Sequence, residues 1–239
     1  VDTVRPTATI VVADTSLIIG ETSLVTITFN EAVTGFSNAD LTIASGTLSA
    51  VATSDGGITW TATFTPTASI SDATNVITLD TTGVSDTPGN AGVGTTDSNN
   101  YAVDTVRPTA TIVVADTSLI IGETSLVTIT FSEAVAGFSN ADLTIASGTL
   151  SAVSSADGGI TWTATLTPIA SITDATNVIT LGNTGVSDAV GNAGIGTTDS
   201  NNYAVDTQRP TVLISVSDTS LIAGETSLVT IAFSEAVTG

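Results

Sequence analysis

The stretch Val1-Asp2-Thr3-Val4-Arg5-Pro6 returns as Val103-Asp104-Thr105-Val106-Arg107-Pro108 and again as Val205-Asp206-Thr207-Gln208-Arg209-Pro210. The spacing is 102 residues both times, with no gap. Residues 1–102 and 103–204 differ at only 13 positions, among them Asn30/Ser132, Phe64/Leu166 and Asp80/Gly182. A unit of about 100 residues can bury a core of its own. Solenoid and propeller units of roughly 20–50 residues lean on their neighbours instead. The chain is therefore expected to be a string of separate domains at 1–102 and 103–204, with an incomplete third at 205–239 that carries its first two strands only. A lone two-strand piece is marginal in water, so the expectation is of a longer natural array.

Within each copy the hydrophobic period is two. Ile58-Thr59-Trp60-Thr61-Ala62-Thr63-Phe64-Thr65 puts Ile, Trp, Ala and Phe on one face and threonines on the other, and Val25-Thr26-Ile27-Thr28-Phe29 does the same. Such alternation marks half-buried strands. Asp55-Gly56-Gly57, Ser45-Gly46-Thr47 and Pro88-Gly89-Asn90 punctuate the chain as turns. Seven strands follow, near 7–12, 23–29, 40–44, 48–53, 58–65, 75–79 and 99–103. One apolar face per strand means two antiparallel sheets packed face to face, an all-β immunoglobulin-like sandwich without the disulfide. Trp60 and Trp162 read as core residues.

Composition excludes most chemistry. The chain has no Cys, Met or His, and its three basic residues (Arg5, Arg107 and Arg209) face 23 acidic ones, for a net charge of -20. Disulfides, zinc sites on Cys or His, histidine-based triads and the P-loop lysine are all impossible. Nucleic acid and anionic membrane surfaces are repelled. The mean hydropathy of +0.44 comes from short runs such as Ile10-Val11-Val12-Ala13, far below the roughly 18 apolar residues of a spanning helix. No signal-peptide pattern opens the chain, so an export signal is expected outside it.

Asp2-Thr3-Val4-Arg5-Pro6-Thr7, Gly20-Glu21-Thr22, Phe29-Asn30-Glu31-Ala32-Val33-Thr34-Gly35-Phe36, Ala39-Asp40-Leu41, Gly46-Thr47-Leu48 and Thr63-Phe64-Thr65-Pro66 together resemble the bacterial Ig-like repeats of giant secreted surface adhesins of the RTX or biofilm type. The resemblance covers the whole chain. It implies an extender segment between an anchor and a binding tip, on the bacterial cell surface or outside the cell, with calcium held between domains.

In an Ig-like topology the chain enters at the pole that also carries the BC, DE and FG loops. That pole gathers Asp2, Glu31, Asp40, Asp55, Asp86 and Asn90. Its counterpart in the second copy gathers Asp104, Glu133, Asp142, Asp157, Asp188 and Asn192, and the third copy contributes Asp206 and Glu235. Converging carboxylates and amides are the ligand set of a hard cation, and Ca2+ accepts six to eight oxygens in irregular geometry. The metal expectation covers all of these residues except Asp55 and Asp157, whose Asp-Gly-Gly setting is plain hairpin chemistry. Asp86-Thr87-Pro88-Gly89-Asn90 serves equally well as a turn. Asp14 and Asp72 are expected to approach from the preceding domain. Asp97-Ser98-Asn99-Asn100 faintly resembles cadherin calcium linkers, and each arginine is expected to pair with a pole acid.

The expected function is a structural spacer of a surface adhesin or extracellular filament, a rod of Ig-like domains stiffened by interdomain calcium. No catalytic residues are assigned. The partners are neighbouring repeats, with lateral association in a filament or biofilm matrix as a further expectation. The alternative is a glycan- or ice-binding module using the outward threonines. A glycosidase on Glu31 and Asp40 would need a cleft and an acid of raised pKa, and small threonine-faced sandwiches offer no obvious cleft.

Overall fold

A computed structural model describes residues 2–238. It divides into two compact units. One runs to Thr109 and includes Ser132–Gly137 and Asn183–Gly196; the other comprises Ala110–Phe131, Phe138–Gly182 and the chain from Thr197.

In the first unit Ala8–Val12 pairs antiparallel with Ser23–Phe29, which pairs with Thr59–Pro66. Gly46–Leu48 and Ala52–Thr53 pair with the free side of that last strand. The register sets Ile10 opposite Ile27 and Ile27 opposite Trp60, with Thr9, Thr28 and Thr59 aligned on the other face. Residues along Ser23–Phe29 alternate between buried and solvent-facing, as one packed face requires. A second layer consists of Leu41–Ile43, Ile77–Asp80 and Thr95–Asp97. Its other part is Tyr101–Asp104, antiparallel to Ser71–Asn75 and parallel to Ser16–Leu17. The fold is the expected all-β Ig-like sandwich.

Val25, Ile27, Phe64, Ile77, Leu79 and Tyr101 are fully buried between the layers, each burial stabilising by about 1.5–3 kcal/mol. Phe64 meets Tyr101 edge-on at 5.0 Å, and Trp60 meets Phe36 at 5.2 Å. Trp60 is half-buried and packs against the core, its Nε1 donating to Gly57 O at 3.1 Å. The Gly46-Thr47-Leu48 motif has a steric cause: a Cβ on Gly46 would lie 2.2 Å from Phe64 Cζ.

Several strands differ from the periodicity reading because side chains interrupt the ladders. The expected strand at 99–103 is two strands, Thr95–Asp97 and Tyr101–Asp104. Between them Ser98 Oγ accepts from Ile77 N at 3.0 Å, while Asn99 accepts from Val12 N at 2.8 Å and donates to Val12 O at 3.1 Å. Asp97 Oδ1 accepts from Thr78 Oγ1 at 2.6 Å, so this acidic-looking string is committed to the sheets. The expected strand at 75–79 breaks after Asn75, and the start of the strand at 40–44 is a 3-10 turn, Asn38–Asp40.

The second unit repeats these registers through Ala110–Val114, Ser125–Phe131 and Thr161–Pro168. Val212–Val216 and Val229–Phe233 pair in the same register again. Their Ile214, Val216, Val229, Ile231 and Phe233 are 45–59% exposed, whereas Ile10, Val12, Val25, Ile27 and Phe29 of the first copy are at most 4% exposed.

Candidate metal centre

A two-residue ladder builds the pole. Val33–Thr34 pairs with Ser85–Asp86, setting Asp86 opposite Val33 and so beside the turn that carries Glu31. Asn30 ties that turn to the incoming chain: Thr7 N donates to Asn30 Oδ1 at 2.7 Å, and Asn30 N donates to Thr7 O at 3.0 Å. Ser132 does the same work for Thr109 in the second copy, which explains why Asn30 and Ser132 interchange.

The result is a trio, Asp2, Glu31 and Asp86, each with a carboxylate oxygen within 4.8 Å of the others. Asp104, Glu133 and Asp188 form the same trio 102 residues on, within the first compact unit. Asp86 and Asp188 are buried and fixed by their own loops. Asp188 Oδ1 accepts from the backbone N–H of Val190, Gly191 and Asn192 at 3.0, 2.7 and 2.8 Å, and its Oδ2 accepts from Asn192 Nδ2 at 2.9 Å. Asp86 lacks the first of these donors because Pro88 stands where the second copy has Val190. Burial pushes the Asp86 carboxyl up, but the Asn90 side chain with the Asn90 and Gly89 N–H groups outweighs it, and the net is below the ordinary value. For Glu133 burial, then Asp188 and Asp104, raise the carboxyl above its ordinary value. Like charges crowd each other there.

The other expected ligands do different work. Asp40 and Asp142 cap 3-10 turns, accepting from Ser37 N and Ser139 N at 2.8 Å. Asn90 and Asn192 present nitrogen, not oxygen, to the acids. The amide of Asn192 is oriented by three partners: Nδ2 donates to Asp188 Oδ2 and Asp104 O, both at 2.9 Å, and Oδ1 accepts from Ile19 N at 2.9 Å. These asparagines position the carboxylates of the trio. Asp206 accepts from Thr173 Oγ1 at 2.9 Å, Glu235 is exposed, and neither joins an acidic trio among the described residues. Asp14 and Asp72 accept from Ser16 N and Thr74 N in local turns. Asp55 and Asp157 serve their hairpins: the Thr59 N–H, foremost among several donors, holds Asp55 down to about 2.

Arg5 and Arg107 depart from expectation. Arg5 Nη1 donates to Ala91 O at 2.6 Å and Arg107 Nη1 to Ala193 O at 2.5 Å. A planar guanidinium reaches a loop carbonyl as readily as an acid, and here it braces the loop that holds Asp86 or Asp188. Sequence reading missed this bracing, although an Arg-Pro at each repeat start was its signal.

Three carboxylates and nearby backbone carbonyls fit a hard divalent cation, and no nitrogen or sulfur ligand competes. A groove of about 520 Å³ in the same unit is lined by Ile18, Ile19, Pro66, Val106, Glu21 and Arg107 among others. It holds none of the trio.

Fold and pole together define a tandem Ig-like sandwich module with carboxylates gathered at one end. Residues 2–103, 104–205 and 206–239 each match the bacterial Ig-like domain. The chain belongs to the bacterial Ig-like domain family. Among solved structures, the Escherichia coli adhesin FdeC, described as eliciting protection against urinary tract infections, is 13% identical over 96% of this chain and 73% of its own, with a TM-score of 0.35. The tandem Ig repeats of Dlar are 14% identical over 84% of this chain and 98% of theirs, with a TM-score of 0.25. No curated protein matches the sequence. Among the described residues no helix is long and apolar enough to cross a membrane.

Proposed function

We propose that the chain is an extender segment of a large surface adhesin or extracellular filament, of the RTX or biofilm type, with no catalysis of its own. Calcium at the acidic poles would stiffen the array. The observation that carries this reading is the recurrence of one trio at one place in two successive copies: Asp2, Glu31 and Asp86, then Asp104, Glu133 and Asp188. A site repeated with the fold serves the array, and copy number sets its reach. Asp104, Glu133 and Asp188 would hold the cation, with Asn192 positioning them. A bound cation supplies charge neutralisation and a bridge between the linker and two loops, which stabilises the folded state by mass action.

The glycan alternative has little support. Sugar sites use exposed aromatic faces, whereas Tyr101 and Tyr203 are 0% exposed. Their hydroxyls donate to the carbonyls of Ala44 and Ala146.

Calorimetry and X-ray scattering on the intact chain test the proposal, with and without chelator. Chelation should lower the melting temperature and shorten the maximum dimension, and D104A together with E133A should mimic chelation. If neither treatment changes stability or length, the calcium reading fails and the acidic pole is turn chemistry alone.

A further inference from the structure

The near-identity of the copies makes each a control for the other. In the first copy the parallel ladder pairs Ser16 with Ala102 and Leu17 with Val103, then stops. In the second it runs one residue further, pairing Ile120 with Asp206. The local sequence is the same, Leu-Ile-Ile-Gly-Glu at 17–21 and at 119–123. What differs is the occupant of the last rung. Asn192 stands between Ile19 N, which donates to its Oδ1, and Asp104 O, which accepts from its Nδ2, both at 2.9 Å. A side-chain amide carries the same donor and acceptor as a peptide unit, so it can enter a ladder as one more link. Gly191 lies beside the Ile18 side chain, a Cβ on it falling 3.8 Å from Ile18 Cδ1, and Arg107 grips Ala193 O. Asn192 is 2% exposed there. Ile18 and Ile19 are half-buried, but Ile120 and Ile121 are 53% and 44% exposed.

We infer that the end of this ladder is a socket and the Gly-Asn-Ala loop of a following copy is its plug. The Ile120–Ile121 turn with Asp206 is such a socket, and its partner is the loop of a further copy of this same repeat. The first copy carries the matching plug, Gly89-Asn90-Ala91. Its Asn90 is half-buried, with Nδ2 at 2.7 Å from Asp86 Oδ2 and 3.4 Å from Asp2 O. Its ladder link, from Ile19 N–H through the Asn192 amide to Asp104 O, joins neutral groups, so it holds with or without a bound cation.

The test is nuclear magnetic resonance in chelator, which separates the joint from calcium. In the intact chain, cross-strand contacts should be present for Ile120 with Asp206 and absent for Ile18 with Asp104. Ile19 N–H should show coupling across the hydrogen bond to the Asn192 side-chain carbonyl. In N192A the Ile18–Asp104 contact should appear as the ladder closes. Appending residues 138–204 after Gly239, which completes the third copy, should abolish the Ile120–Asp206 contact and give Ile121 N–H the coupling that Ile19 has. Should N192A not fold, the intact and extended chains still decide the matter. Equal pairing of Ile18 and Ile120 in the intact chain, or an Ile120–Asp206 rung that survives completion of the third copy, overturns the inference.

Discussion

Replacing Glu133 with glutamine separates repulsion from ligation at the second trio. Two unit charges no more than 4.8 Å apart repel by at least about 3.5 kcal/mol at an effective dielectric of about 20. Glu133 and Asp104 are only half-buried, so solvent and salt reduce each pair to about 1 kcal/mol or less. Glutamine keeps the shape and removes the charge. In chelator at neutral pH the variant should therefore be more stable by about 1 kcal/mol, which raises the melting temperature by about 2–4 °C. In millimolar calcium the order should reverse, because the wild type gains about 2.7 kcal/mol at 100 times its Kd and the variant has lost a ligand. The pH dependence has a definite sign. The Glu133 carboxyl is raised above its ordinary 4.5, so its contribution is fully present below that value and is lost as pH rises through the raised one. The gap between wild type and variant should be absent in acid and open as pH rises past 4.5. Differential scanning calorimetry across pH, with and without calcium, reads all of this. A variant that is less stable than wild type in chelator, or that responds to calcium as fully, refutes the reasoning.

Four further outcomes are expected. Y101F removes the hydroxyl that donates to Ala44 O at 2.6 Å and should cost about 1 kcal/mol in denaturant unfolding. Burial pushes Tyr101 and Tyr203 up to about 12, so tyrosinate absorbance should rise only near there, and the stability they carry should fade as pH climbs from about 10. G57A places a Cβ 2.6 Å from Val33 O at a φ of +100°; it should lower stability by about 1–3 kcal/mol, while G56A, with open space around it, should cost less. Asp55 titrates near 2, so its contribution should be full above pH 3.8, shrink below it and be gone once pH has fallen through 2. Carboxyl chemical shifts that titrate near the ordinary value would contradict that.

Period-two alternation made the large sheet legible, because Val25-Thr26-Ile27-Thr28-Phe29 can bury only one face. The second layer was harder to read. Its strands are two to five residues long and end where Ser98, Asn99 and Asn75 substitute side-chain bonds for ladder bonds, and a polar residue in a strand looks like a loop. Convergence of Asp2, Glu31 and Asp86 followed from topology alone. The work of Asp40 did not, since a capping aspartate and a ligand aspartate have the same sequence context until the Ser37 N–H is placed. Nor did the orientation of the Asn192 amide, which depends on Ile19, 173 residues away.

Ala8–Val12 on Ser23–Phe29 and Ala110–Val114 on Ser125–Phe131 are one pairing written twice, residue for residue. A crossed ladder, Ala8–Val12 on Ser125–Phe131, would form the same hydrogen bonds and the same side-chain pairs. Only chain connectivity tells the two apart. The native pairing closes a loop of 10 residues and the crossed one a loop of 112, a difference of about 2 kcal/mol in closure entropy. That margin is thin for a folding chain that emerges with several such strands unpaired. An array of near-copies therefore depends on order of arrival: each sandwich has to close before the next copy of its strands is available to compete.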